Sequence, residues 1–226
     1  MIDEILKTNK DNCEIFEKHA KVTSKPVAVK FFDSPDEIPE GIDLIDETIR
    51  HCQMVKKASF GEKFYSTLEQ QQCKGGAGAL GLGPMPPKVA SGETYYNLGR
   101  FESLEIAKDT VDELSVVPVE HKGIIYAPLD EATYEPDVIV IISEPISAMK
   151  IAQALVYNDG DKVRPNFAGI QSLCGDAVAN PIITKGVNIT MGCDGSRKAA
   201  KVKDNELAIG IAKEKIEQVV ESLMNI

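Results

Sequence analysis

Tryptophan is absent and aromatic residues make up only 6% of the 226-residue chain, so the interior is expected to be aliphatic, carried by Val, Ile, Leu and Ala. Positive charge is scarce as well. Lys and Arg number 25 against 35 Asp and Glu, a formal charge of −10. With the basic residues dispersed, that balance excludes nucleic acid and an anionic membrane as main partners, because both are bound through clustered Lys and Arg. No apolar run approaches the ~20 residues of a membrane helix; the longest, DVIVIIS, is the size of a strand. The opening MIDEILKTNKDN carries acidic residues and no apolar signal core, so nothing directs export and a reducing cytoplasm is the expected setting. Walker, H-E-x-x-H, EF-hand, Ser–His–Asp and C-x-x-C patterns are all missing. What remains is a chain that is 43% apolar, enough for a core in one large domain or two lobes of about 110 residues.

Against those absences stands a repetition. Cys52 is followed after twenty residues by Cys73 in CKGG, and Cys174 after eighteen by Cys193 in CDGS. Both halves reduce to C-x(18–20)-C-x-G-[GS]. A proline-bounded apolar run precedes each pair, Pro26 to Pro35 and Pro136 to Pro145, and an amphipathic segment follows each, LEIAKDTVDEL and LAIGIAKEKIEQVV. Four elements recurring in one order predict two pseudo-repeated lobes that form one compact α/β or α+β unit. The expected division is an N-terminal helix at 1–24, a first lobe at 25–118 with a glycine-rich insertion at 74–92, and a second lobe at 119–226.

Within that frame, VAVKFF, Lys63–Leu68, GIIYAPL, DVIVIIS and Val187–Met191 read as strands. Helices are expected from Asp46 to Gly61 around Cys52, over Leu104–Leu114, over Ile146–Tyr157, from Asn166 to Asn180 around Cys174, and across the whole last amphipathic segment, with Ile209, Ala212, Ile216, Val219, Val220 and Leu223 inward. Residues 74–92 have too few large apolar side chains to be an element. Cys13, on the apolar stripe of the first helix, reads as a small buried hydrophobe.

Four thiols brought together suit a soft or borderline metal, so Cys52, Cys73, Cys174 and Cys193 are the candidate ligands of an iron–sulfur cluster, with zinc as the alternative. The cofactor-contacting candidates are Gly75, Gly76 and Gly78, whose backbone N–H groups can form an anion nest, and Arg197, whose charge can lower a nearby thiol or pair with an acidic ligand. GAGALG fits G-x-G-x-x-G, yet Gly83-Pro84 and Pro86-Pro87 follow too closely for a dinucleotide-binding helix. His51 adjoins Cys52, but neighbouring helical positions face apart. Tyr95, Tyr96 and Arg100 are candidates to line a pocket for a planar or anionic ligand.

The strings PVAVKFF, HCQMV, QCKGGAGALGLG, SGETYYNLGRF, IIYAPL, PDVIVII and CDGSR, in that order, resemble the archaeal and bacterial domain of unknown function 169 family from about Lys25 to the end of the chain. The resemblance implies that the family's characteristic cysteines correspond to Cys52, Cys73, Cys174 and Cys193, and it carries no activity with it. Such proteins are common in anaerobes, where oxygen-labile clusters abound. Three functional readings follow: a metal or cluster protein with a redox or cofactor-handling role, serving a small molecule or a redox partner protein; a metal-free thiol–disulfide protein; and a module gripping a small anionic ligand through the glycine-rich loop.

Overall fold

Residues 2–160 and 162–226 are described by the computed structural model of the chain. Helix α1 (Ile2–His19) leads into strand β1 (Val27–Phe32), the short β2 (Asp43–Leu44), helix α2 (His51–Ala58) and β3 (Phe64–Thr67). Four helices follow: α3 (Lys74–Ala79), α4 (Pro87–Ala90), α5 (Glu93–Asn97) and α6 (Leu104–Asp112). The hydroxyl of Ser103 caps α6 by accepting from the Ile106 N–H, a standard N-terminal stop. Then come β4 (Gly123–Pro128), β5 (Val138–Ser143) and α7 (Pro145–Asp159), which starts on a proline and ends on the left-handed Gly160. A π-helix (Ser172–Ala179) runs straight into α8 (Asn180–Thr184), and β6 (Val187–Thr190), α9 (Asp194–Lys198), β7 (Leu207–Ala212) and α10 (Lys213–Leu223) complete the chain.

All seven strands join one sheet in the order β2-β3-β4-β1-β5-β7-β6, antiparallel except for the β2–β3 pair. Alternation along the central strands sorts the core into two layers. Val27, Val29 and Phe31 of β1, with Val138, Val140 and Ile142 of β5, pack under Met54 and Val55 of α2, Ala77 of α3, and Leu173 and Ala177 of the π-helix. The intervening Ala28 and Phe32, with Ile139 and Ile141, face Phe16 of α1, Ile151 of α7 and Val219 of α10. Cys13 lies in that second layer, 2% exposed. The fold is thus a mixed α/β sandwich on one continuous sheet. A division into two separate lobes is not what the sheet displays, because β1 of the first half lies between β4 and β5.

Three elements depart from the sequence reading. Leu207–Ala212 is strand β7, and only Lys213 onward is helical; every residue of β7 is buried. A short apolar run buried on both faces has no period to separate strand from helix. The segment after Cys73, expected to be a loop, forms α3 and α4. Asn180-Pro181 does not stop the helical run either: the backbone changes there from π-helix to the α-helix α8 and stays helical to Thr184. Gly210 of β7 explains how the π-helix comes so close to the sheet. A Cβ there would run into the Ala177 carbonyl oxygen and lie 2.8 Å from Pro181 Cγ, so two backbones are in direct apposition. Among the described residues no helix is long and apolar enough to cross a membrane.

Candidate functional site

On the α2 side of the sheet a cavity of about 700 Å³ opens where the N-terminal ends of α2, α3 and α9 meet the π-helix, with Val89, Tyr95 and Leu98 of the α4–α5 region above it. Arg50, His51 and Cys52 are consecutive wall residues, because α2 meets the cavity end-on rather than by one face. Cys73 and Cys193 each occupy the extended residue just before a short helix, α3 and α9. Cys174 is the third residue of the π-helix, in its first turn, a geometry that is rare and concentrated at functional sites. All four of these cysteines line the one cavity.

The glycines of α3 explain how tightly the thiols are packed. A Cβ on Gly76 would stand 3.4 Å from Cys174 Sγ and 3.5 Å from Cys73 Sγ, so the bare backbone of α3 is wedged between two sulfurs. One on Gly75 would meet Val89 at 3.3 Å. Gly78 faces away from the cavity and holds Met85, whose Cα is 2.9 Å from its Cβ position. Arg197 is likewise elsewhere: its guanidinium donates to the carbonyls of Met191, Val202, Lys203 and Glu206 and staples the α9–β7 connection. Of the four residues expected to contact a cofactor, Gly75 and Gly76 are at the cavity, and Gly78 and Arg197 are not.

The four thiols are chemically unequal. Burial pushes Cys52 up to about 12, and the nearby Cys193 and Cys73 sulfurs add to the rise. Burial, with the other three cavity sulfurs adding to it, also raises Cys174 well above the ordinary thiol value. Burial alone would raise Cys193 too, but hydrogen bonds from Ser172 and Ser196, each through side chain and backbone, outweigh it and leave this thiol below the ordinary cysteine value. Groups that raise one another titrate as a set, so ionising Cys193 keeps its neighbours protonated.

Two buried polar side chains of the cavity wall each keep an enclosed polar atom without a close hydrogen-bond partner. His51, 2% exposed, binds Tyr126 Oη through Nδ1 at 2.9 Å, and its Nε2 has no partner. Burial holds the ring down to about 4, against a smaller opposing pull from the Leu173 backbone. Behind it Gln71 Nε2 has three acceptors for its two hydrogens, Ser66 Oγ at 2.9 Å, Met54 Sδ at 3.3 Å and Tyr126 Oη at 3.5 Å. Gln171, 6% exposed and held in the left-handed region at φ 49°, donates from Nε2 to Tyr95 Oη at 3.0 Å and leaves Oε1 unpartnered. A bulky residue at positive φ is backbone strain, and here it lies beside an open cavity.

This arrangement overturns the cofactor expected from the sequence. Among the described residues no group of three or more His, Cys, Asp or Glu side chains is placed to hold a metal ion. The iron–sulfur cluster and its zinc alternative, with Cys52, Cys73, Cys174 and Cys193 as ligands, are therefore both set aside. All five cysteines are free, which removes the paired state on which the thiol–disulfide reading depended. The glycine-rich stretch is no open anion nest, since it is helical and its missing side chains are filled by sulfur, Val89 and Met85. Sequence reasoning did not single out Arg50, Ser172, Gln171 or Lys198; Arg50 alone had a signal, its place beside His51 and Cys52.

The family profile described as "Uncharacterised ArCR, COG2043", domain of unknown function 169, matches residues 15–222. The uncharacterized protein MJ0308 of Methanocaldococcus jannaschii is 44% identical over 199 residues, covering 87% of this chain and 85% of its own length. No solved structure matches the chain.

Proposed function

This chain belongs to the domain of unknown function 169 family, and from that premise we propose that its cavity is a small-molecule site in which the Cys193 thiolate is the reactive group. The observation that carries this reading is selectivity: of four thiols around one cavity, hydrogen bonding by Ser172 and Ser196 lowers Cys193 while burial raises Cys52 and Cys174. A thiolate is the nucleophilic form of cysteine, and reactive cysteines sit in partly open, hydrogen-bonded surroundings of this kind. The cavity volume of about 700 Å³ is that of a metabolite-sized site. A reducing, cytoplasmic setting fits a chain whose five cysteines are all free.

Limited alkylation tests the proposal. With less than one equivalent of iodoacetamide at neutral pH, peptide mapping is expected to find the label on Cys193 ahead of Cys73, although Cys73 is the exposed one. First labelling at Cys73, with Cys193 inert, would remove the reading.

The duplication expected from the sequence is carried into this proposal in revised form. On either side of the β1–β5 pair the order runs β4-β3 and β7-β6, and Cys73 follows β3 as Cys193 follows β6. That supports two related halves joined after β4, past residue 118, with the cavity between their cysteine-bearing turns.

A further inference from the structure

We infer that the ligand of this cavity is a small carboxylic acid, its charge met by Arg50 and Lys198. This rests on the cavity being the binding site and adds the chemical class of what binds.

The charge distribution supplies the argument. A chain of net charge −10 repels anions over most of its surface, yet the cavity wall holds Arg50, Arg100 and Lys198 against a single carboxylate, Asp194. Arg100 is committed to that carboxylate in an ion pair. Arg50 contacts only the neutral Gln72 Oε1, at 3.4 Å, and among the described residues neither Arg50 nor Lys198 has a carboxylate partner. Arg50 also reaches the thiolate's neighbourhood: the Cβ position of Gly195 is 3.1 Å from its Nη1 and 3.6 Å from Cys193 Sγ. Two positive charges without counter-charges, next to a thiolate in a cavity, are a recognition site for an anion.

Iodoacetate and iodoacetamide make the test, being matched in size and differing in charge. In both reactions the thiolate sulfur forms a bond to the methylene carbon and iodide leaves with the bonding electrons. The ratio of iodoacetate to iodoacetamide rate, measured at Cys193 by peptide mapping, is expected to exceed the same ratio at Cys73 by about tenfold at low salt, the scale of electrostatic focusing in a charged cleft. Arg50→Gln and Lys198→Gln should each reduce that excess, and Arg50→Lys should retain part of it. Equal ratios at Cys193 and Cys73 overturn the carboxylate assignment even when iodoacetamide labels Cys193 first, so this failure is separable from failure of the reactive-thiol reading.

Discussion

Asp176 gives a single carboxylate control over stability as a function of pH. It is buried on the π-helix, accepts from Thr190 Oγ1 at 2.7 Å, and is pushed by burial from 3.8 to about 7 against that hydrogen bond. A carboxyl raised on folding binds more protons in the native than in the unfolded state, so its contribution is present below about pH 4 and is lost as pH rises toward 7. His51 does the opposite, since its pKa falls from 6.5 to about 4 on folding: the unfolded chain binds the extra proton, and stability rises with pH across that window. The two slopes oppose each other between about pH 4 and 6.5. Asp176→Asn should expose the His51 slope there and make the protein more stable than wild type at pH 8, by about 1–3 kcal/mol. Urea unfolding from pH 4 to 8 reads both effects, and parallel curves for the two proteins would contradict the assignment to Asp176. At the other end of the network, Tyr126→Phe strips His51 Nδ1 of its partner and Gln71 of the most distant of its three acceptors. A loss of about 1–3 kcal/mol in the same measurement is expected.

At the scale of elements, α3 and the π-helix show what a glycine does when its neighbour is sulfur. Gly76→Ala adds a methyl at ordinary contact distance from Cys174 and Cys73 and improves helix propensity by up to about 1 kcal/mol. The variant is therefore expected to fold at least as stably while alkylation of Cys174 slows; a large drop in melting temperature would show that the wedge is tighter than drawn. This pair of elements also marks the limit of what the sequence disclosed. β1, β3, β4, β5 and β6 were legible because β-branched runs sat between proline and glycine stops, and the four cavity cysteines were legible because their spacing repeats. Leu207–Ala212 was not, since a strand buried on both faces has no alternation to read. The π-helix has no pattern of its own in amino-acid type, and the chemistry at its end was hidden for the same reason. Arg50, Ser172 and Gln171 become partners of Cys193 or of its cavity only through tertiary packing, while Arg197, which looked poised beside Cys193, is consumed by backbone carbonyls.

Over the whole molecule, α4, α5 and α6 pack on one another and form a cap beside the sheet. Its entry and exit are clasped together at a neck, where Val117 N–H donates to Ala79 O and His121 N–H to Gly81 O, both at 2.8 Å. Across the cavity the cap is fastened by the Tyr95–Gln171 hydrogen bond and by the exposed Arg100–Asp194 ion pair. Exposed pairs add less than about 1 kcal/mol to stability and are screened by salt. Arg100→Ala should therefore leave the melting temperature nearly unchanged while labelling of Cys174 by iodoacetamide accelerates several-fold, and added salt should reproduce the acceleration in the wild type. Identical labelling rates would mean that the ion pair does not hold the cap.

The apposition of Gly210 to Ala177 reaches further than packing. Because the π-helix rests on bare strand backbone, the distance from the sheet to the cysteine-bearing turn is set by one hydrogen atom on β7. Enlarging that hydrogen to a methyl would lift the floor on which Cys174 and Gln171 stand, so a position remote from every thiol governs how much room a guest molecule finds.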